Sequence, residues 1–213
     1  MGAAEMTVEM FPHIQQGTPE WYRIRAGLAT ASQFKTVKAS GKAGGDSVTR
    51  RKYMLQLAGE IITGEPMESF SNGHMERGKR MEAEARAYYA FQHDEEPELI
   101  GFARDTEKGC GCSPDSLLGK TGLLEIKTHL PHILAEMILS GKPPSTHKAQ
   151  VQGQLHVTDR EFVDLLCYWP KFPPFDVRWY RDEPYIRQLA ADIAAFNEEL
   201  LATVEKIKRL GGV

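Results

Sequence analysis

Cysteine is scarce in this 213-residue chain. Three residues, an odd number, cannot supply a disulfide framework. Two of them form Cys110-Gly111-Cys112, without the two-residue spacer of a zinc knuckle, and no second pair exists; reduced structural thiols are expected. No apolar run reaches the length of a membrane span, and Met1–Phe11 lacks the basic-then-apolar order of a secretion signal. A cytoplasmic protein without membrane association is therefore expected. Internal repeats, low-complexity tracts and linkers are also missing. This favours one domain over residues 1–213, with the weakly patterned residues 1–16 expected to be flexible. Neither sign of charge dominates: the net charge of −3 does not by itself announce a nucleic-acid binder. Ser40–Ser47 is rich in glycine and reads as a mobile surface loop, but it lacks the Gly-Lys-Ser/Thr ending of a phosphate-binding P-loop.

Charge is present but unevenly spread. Residues 21–59 hold eight Lys/Arg and one acid, Asp46, whereas residues 60–119 hold thirteen acids and six Lys/Arg. The basic segment reads equally well as a solvated face or as a phosphate-contacting surface.

The periodicities predict an α/β order. Thr18-Pro19 reads as the cap and first position of a helix, with Trp21, Ile24 and Leu28 on one face and Arg25 flanking it or in solvent. Ser32 reads as a cap or a phosphate contact. Helices are predicted over about 48–63 and 74–91; in the second, Met81, Ala85, Tyr88 and Tyr89 face inward, Glu82 borders the stripe, and Glu84 and Arg86 look outward. Strands are predicted over 98–104 and 123–127, then helices over 131–140 and 146–157. Further strands over 160–169 and 176–180 precede a long helix from Asp182. That last helix carries Ile186, Leu189, Ile193, Phe196, Leu200, Val204 and Ile207, a stripe suited to covering the protein's own core, the plainer reading, or to meeting a partner subunit. The layout suits one mixed sheet with flanking helices.

Chemistry concentrates in Gly111–Lys127. Glu125 and Lys127 are two apart on a strand and share one face, and Asp115 lies in the turn leading to it. Two carboxylates and an amine are costly to bury without a metal or substrate. Asp115 and Glu125 offer oxygen ligands to a hard cation, the Ile126 carbonyl offers a third, and Glu82 can join directly or through water. Lys127 can orient a water or stabilise charge on a phosphate. Such a set suits phosphodiester hydrolysis. His129 and His132 are weaker candidates, read as surface residues. Of Gln150, Gln152 and Gln154, one or two at most can reach a common site.

Ser113-Pro114-Asp115 followed by Glu125-Ile126-Lys127 resembles the PD-(D/E)xK nuclease motif. Pro19-Glu20-Trp21-Tyr22-Arg23-Ile24-Arg25-Ala26-Gly27, Thr30-Ala31-Ser32, Gly78-Lys79-Arg80-Met81-Glu82, Cys112-Ser113-Pro114-Asp115 and Ala149-Gln150-Val151-Gln152 occur in the order seen in phage lambda-type exonucleases, the YqaJ-like viral recombinases. The resemblance covers about residues 16–169. It implies a restriction-endonuclease-like core, a central mixed β-sheet flanked by α-helices. It also implies Mg²⁺ (Mn²⁺ as a substitute) held by Asp115, Glu125, Glu82 and Ile126, with Lys127 catalytic and Gln150 supporting the water or scissile phosphate. Arg25 and Ser32 match positions that bind the terminal 5′ phosphate, and Met75 is the candidate wedge between strands. The implied activity is digestion of one strand of linear double-stranded DNA from its 5′ end, leaving a 3′ overhang for recombination by strand annealing. A homotrimeric ring and a single-strand annealing protein are the implied partners. Two rival readings are an internally cutting or structure-specific PD-(D/E)xK endonuclease, against which Arg25 and Ser32 argue, and a DNA-binding module without catalysis, against which the intact Asp115, Glu125 and Lys127 argue.

Overall fold

A computed structural model describes residues 8–41, 47–67 and 73–212, without the side chains of residues 73–77 and 79. The elements are β1 (Val8–Phe11), α1 (Pro19–Arg25), β2 (Ala29–Thr30), α2 (Phe34–Val37), α3 (Val48–Thr63), α4 (Gly73–His93) and β3 (Phe102–Asp105). They continue with β4 (Cys110–Cys112), β5 (Ser116–Leu118), β6 (Gly122–Thr128), α5 (Pro131–Ser140), α6 (Lys148–Thr158), β7 (Phe162–Tyr168), β8 (Phe175–Tyr180) and α7 (Glu183–Gly211). Short 3₁₀ turns at Ala31–Gln33 and Ser145–His147 precede α2 and α6.

The strands form two four-stranded sheets where a single one is expected from sequence, in the orders β1-β3-β4-β2 and β5-β6-β7-β8. The second is mixed: β6 and β7 run parallel, with antiparallel partners β5 and β8 on either side. Parallel neighbours need a long crossover, and here it carries α5 and α6. The first sheet corrects the reading of the N-terminus: Val8–Phe11 pairs antiparallel with Phe102–Asp105, so these residues are structured.

Alternation along β6 sends its side chains to opposite faces. Leu124 and Ile126 pack with Leu166, Tyr168 and the Ala85 and Tyr89 of α4. Leu123 packs with Val151 and Leu155 of α6 on the other face. Because Glu125 and Lys127 share the parity of Leu123, the same rule turns them towards α6. The α7 stripe from Ile186 to Val204 is buried, and Leu189, Ile193, Phe196, Leu200 and Val204 join a core with Phe34, Met54 and Leu57; the stripe covers the protein's own core, and only its last member, Ile207, is exposed.

Capping holds as expected at two helices. Thr18 accepts from the Trp21 amide at 3.3 Å, and Asp182 from the Tyr185 amide at 3.1 Å. Helix α1 stops at Arg25, earlier than the Leu28 periodicity suggests, because Gly27 takes a left-handed φ of 75° and turns the chain into β2.

Helix α6 approaches the Ala31–Gln33 turn and α2 closely. A Cβ on Gly153 would lie 2.3 Å from Phe34 Cδ2. Gly153→Ala is therefore expected to cost about 1–3 kcal/mol through overpacking. A Cβ added to Gly59 in α3 would meet nothing within 4 Å, so Gly59→Ala is expected to gain about 0.5–1 kcal/mol. Urea denaturation of the two variants checks both signs.

Candidate active site

The β5–β6 hairpin fixes the two acids. The Asp115 amide donates to the Leu124 carbonyl at 3.1 Å, and Asp115 Oδ2 accepts from the Ile126 amide at 2.5 Å. The Ile126 N–H thus fixes the orientation of the Asp115 carboxylate. Glu125, only 2% exposed, is surrounded by donors. Gln150 Nε2 donates to its Oε1 and Gln154 Nε2 to its Oε2, both at 2.5 Å, and Lys127 Nζ lies 2.6 Å from Oε1. Two of the three candidate glutamines therefore reach the site: Gln154, which the family resemblance did not single out, joins Gln150. Its signal was the four-residue spacing from Gln150, which places both on one helix face. Gln152 points elsewhere, bonding the Tyr180 carbonyl and the Asp182 amide.

Glu82 comes from α4 and is held by Arg86 at 2.7 Å, one turn later. Arg86 also donates to Ser116 Oγ at 2.9 Å and to the Asp115 carbonyl at 3.3 Å. The expectation that Arg86 looks outward is thereby corrected: buried backbone and hydroxyl acceptors at the start of β5 draw it in.

The electrostatics are unbalanced towards acid. Burial, then the neighbouring Glu125 and Glu82, pushes the Asp115 carboxyl well above the ordinary carboxylate range, against the opposing pull of Lys127 and the Ile126 N–H. Burial alone would lower the Lys127 ammonium, but Glu125 and Asp115 outweigh it and raise it above an ordinary lysine. With these two carboxylates beside it, Lys127 is held as a charged donor. Among the described residues no three Asp, Glu, His or Cys side chains close into a finished metal cage. The oxygen-only set that remains suits a hard cation such as Mg²⁺, which takes one or two carboxylates and completes its shell with water and phosphate.

A second cluster lies around α1. Arg25 and Ser32 line one cavity of about 620 Å³, together with Trp21, Thr30, Lys52, Tyr53 and Glu60. The Arg25 guanidinium stacks 3.7 Å over the Trp21 ring. Burial lowers its pKa from the usual arginine value, with Tyr53, Tyr22 and Glu60 pulling the other way. Arg25 Nε is buried with no acceptor among the described residues, a cost that an anionic ligand can relieve. Thr30 and Ser32 hydroxyls are 3.5 Å apart.

The two clusters are physically joined. Trp21 Nε1 donates to the Gly101 carbonyl at 2.9 Å and to Ser113 Oγ at 3.0 Å. Gln16 Nε2 donates to the Ile100 and Pro114 carbonyls, both at 3.0 Å. The loop that delivers Asp115 is thus pinned by the helix that carries Arg25. The side chain of Met75, the candidate wedge, lies outside the described residues, as do residues 42–46 of the glycine-rich loop.

The profile of the YqaJ-like viral recombinase domain matches residues 20–161. The chain belongs to the YqaJ-like viral recombinase family. The matched span contains both clusters, from Trp21 to Gln154. In structure the recombinase domain is similar to an alkaline exonuclease, LHK-Exo, from Laribacter hongkongensis: 33% identity, TM-score 0.81, covering 92% of this chain and 98% of that one. A second structure of LHK-Exo, in complex with dAMP, matches at 34% identity and TM-score 0.82 with the same coverage. A phage-related exonuclease from Haemophilus somnus 129PT shares the fold at 11% identity and TM-score 0.57, over 84% of this chain and 96% of that one. These likenesses bear out the expected α/β, restriction-endonuclease-like architecture. No curated protein matches the chain. Among the described residues no helix is long and apolar enough to cross a membrane.

The raised Asp115 carboxyl has a consequence for stability. Its folded-state pKa exceeds the unfolded value, so ionising it costs the fold stability, and that cost grows as pH rises from the unfolded pKa towards the folded one. Asp115→Asn is therefore expected to raise the thermal midpoint at pH 8 in a chelator. The gain should vanish near pH 4, and Mg²⁺ should narrow it. Differential scanning calorimetry with and without EDTA is the check.

Proposed function

We propose that this protein is a Mg²⁺-dependent exonuclease that digests one strand of linear duplex DNA from a 5′-phosphorylated end. Family membership and the likeness to an alkaline exonuclease support the nuclease role. The observation that carries the finer reading is the pairing of two sites: an anion-seeking Arg25–Ser32 cavity tied through Trp21 to the loop that presents Asp115. A pocket for a terminal phosphate is useful only at a strand end, which argues against internal cutting. The complex of LHK-Exo with dAMP, a nucleoside monophosphate, is in keeping with a product of this type.

In this reading Asp115 and Glu125 hold the metal, with Glu82 contributing through water. When bound, Mg²⁺ lowers the pKa of a coordinated water and neutralises charge on the scissile phosphate. Gln150 and Gln154 fix the orientation of Glu125. The Lys127 ammonium stabilises negative charge growing on the phosphate oxygens. Arg25, with Ser32, grips the terminal phosphate and sets which strand is attacked. The 3′ overhang so produced is the substrate of a single-strand annealing protein, and a ring-shaped homotrimer would keep the enzyme on its duplex.

Asp115→Ala is expected to lose Mg²⁺-dependent degradation while still binding duplex in a gel-shift assay; near-wild-type activity would move the site elsewhere. Arg25→Ala is expected to slow digestion of 5′-phosphorylated duplex about 10–100-fold, the value of one charge-assisted hydrogen bond, with little change on 5′-hydroxyl duplex. Equal losses on both substrates would remove the end-recognition role. Lys127→Ala should cost about 10²–10³ in rate without changing the preference for a phosphate.

A further inference from the structure

His129 and His147 are not used by the chemistry above. His129 follows β6 directly, two residues after Lys127. His147 ends the 3₁₀ turn Ser145–His147, three residues before Gln150. Their Nε2 atoms share a hydrogen bond of 3.1 Å, a contact that an ion would replace, with ring centroids 5.3 Å apart and planes inclined by 47°. Both rings are partly buried, so the pair is fixed yet reachable from solvent.

Two imidazoles bound to one ion at about 2.0–2.1 Å have their nitrogens about 2.9 Å apart at a right angle and about 3.4 Å apart in a tetrahedron. The observed separation falls within that range. A metal also requires neutral imidazoles. Burial, then Lys127, lowers His129; burial, then Lys127, His129 and Lys35, lowers His147 to about 4. Both shifts favour the neutral imidazole, with one ring nitrogen free to act as a ligand. His132, the other sequence candidate, is exposed and stands apart from this pair.

We infer that His129 and His147 form a two-histidine site for a borderline transition ion such as Zn²⁺ or Ni²⁺, distinct from the carboxylate centre. Imidazole selects such ions, whereas carboxylates suit Mg²⁺. Water fills the remaining positions. The ion bridges the end of β6, which carries Glu125 and Lys127, to the start of α6, which carries Gln150 and Gln154. Occupancy therefore fastens together the two elements whose side chains meet at Glu125, and it adds positive charge beside Lys127.

The test is isothermal titration calorimetry of untagged protein with Ni²⁺ in millimolar Mg²⁺. An Asp115→Asn background weakens binding at the carboxylate centre and makes the readout independent of nuclease activity. One equivalent of Ni²⁺ should bind, and both His129→Gln and His147→Gln should weaken it at least about tenfold while leaving the circular dichroism spectrum unchanged. Ni²⁺ should also raise the thermal midpoint of the background protein and of neither histidine variant. Absence of Ni²⁺ binding in the background, or retention of it in either folded histidine variant, overturns the site. If one variant fails to fold, the other decides.

Discussion

The structure depends on how one buried carboxylate is satisfied. Glu125 is almost wholly removed from water in the middle of a β-strand, where an unpaired charge is prohibitive. Its oxygens receive Gln150, Gln154 and Lys127, and all three donors must be delivered at once. Lys127 comes with the strand itself, by two-residue alternation. The glutamines come with α6, which can approach only because Gly153 leaves room for Phe34 and the Ala31–Gln33 turn. Charge satisfaction in the site thus dictates close packing well outside it. Removing one partner from such a network leaves the other charged or polar group buried without compensation.

The same packing joins recognition to chemistry. The Ala31–Gln33 turn that α6 presses against contains Ser32, so the helix that orients Glu125 also abuts the wall of the Arg25 cavity. On the other side Trp21 carries Arg25 on its ring face and holds Ser113, two residues before Asp115, through its indole N–H. The cavity and the acidic centre are held in register by rigid neighbours, with no long loop between them. An enzyme that removes nucleotides one after another from an end needs such fixed spacing between the grip on the phosphate and the bond to be cut.

Much of this was legible in the sequence, for definite reasons. Alternation in Leu123–Lys127 placed Glu125 and Lys127 on one face, and the Thr18-Pro19 and Asp182 caps marked two helix starts that the structure keeps. The 3–4 spacing of α7 marked its buried face. What was hidden was non-local. Nothing near Val8–Phe11 announces that it pairs with Phe102–Asp105, so the N-terminal strand and the division into two sheets went unread. Arg86 looks like a solvent-facing helix residue until Ser116 and the Asp115 carbonyl are brought beside it by a strand thirty residues away. Gln154 was visible in principle, four residues after Gln150, but only the position of Glu125 shows that both amides are needed. The His129–His147 pair is likewise an outcome of the β6–α6 crossover.

The central claim is that the Arg25 cavity and the Glu125 centre act together on a single strand end. The most direct measurement uses linear duplex DNA with one 5′ phosphate and one 5′ hydroxyl, each strand carrying a different fluorophore, followed in Mg²⁺ on denaturing gels. The account predicts progressive loss of the phosphorylated strand from its 5′ end while the other strand stays full length. Loss of the unphosphorylated strand, shortening from a 3′ end, or equal cutting of a closed circular duplex would contradict it.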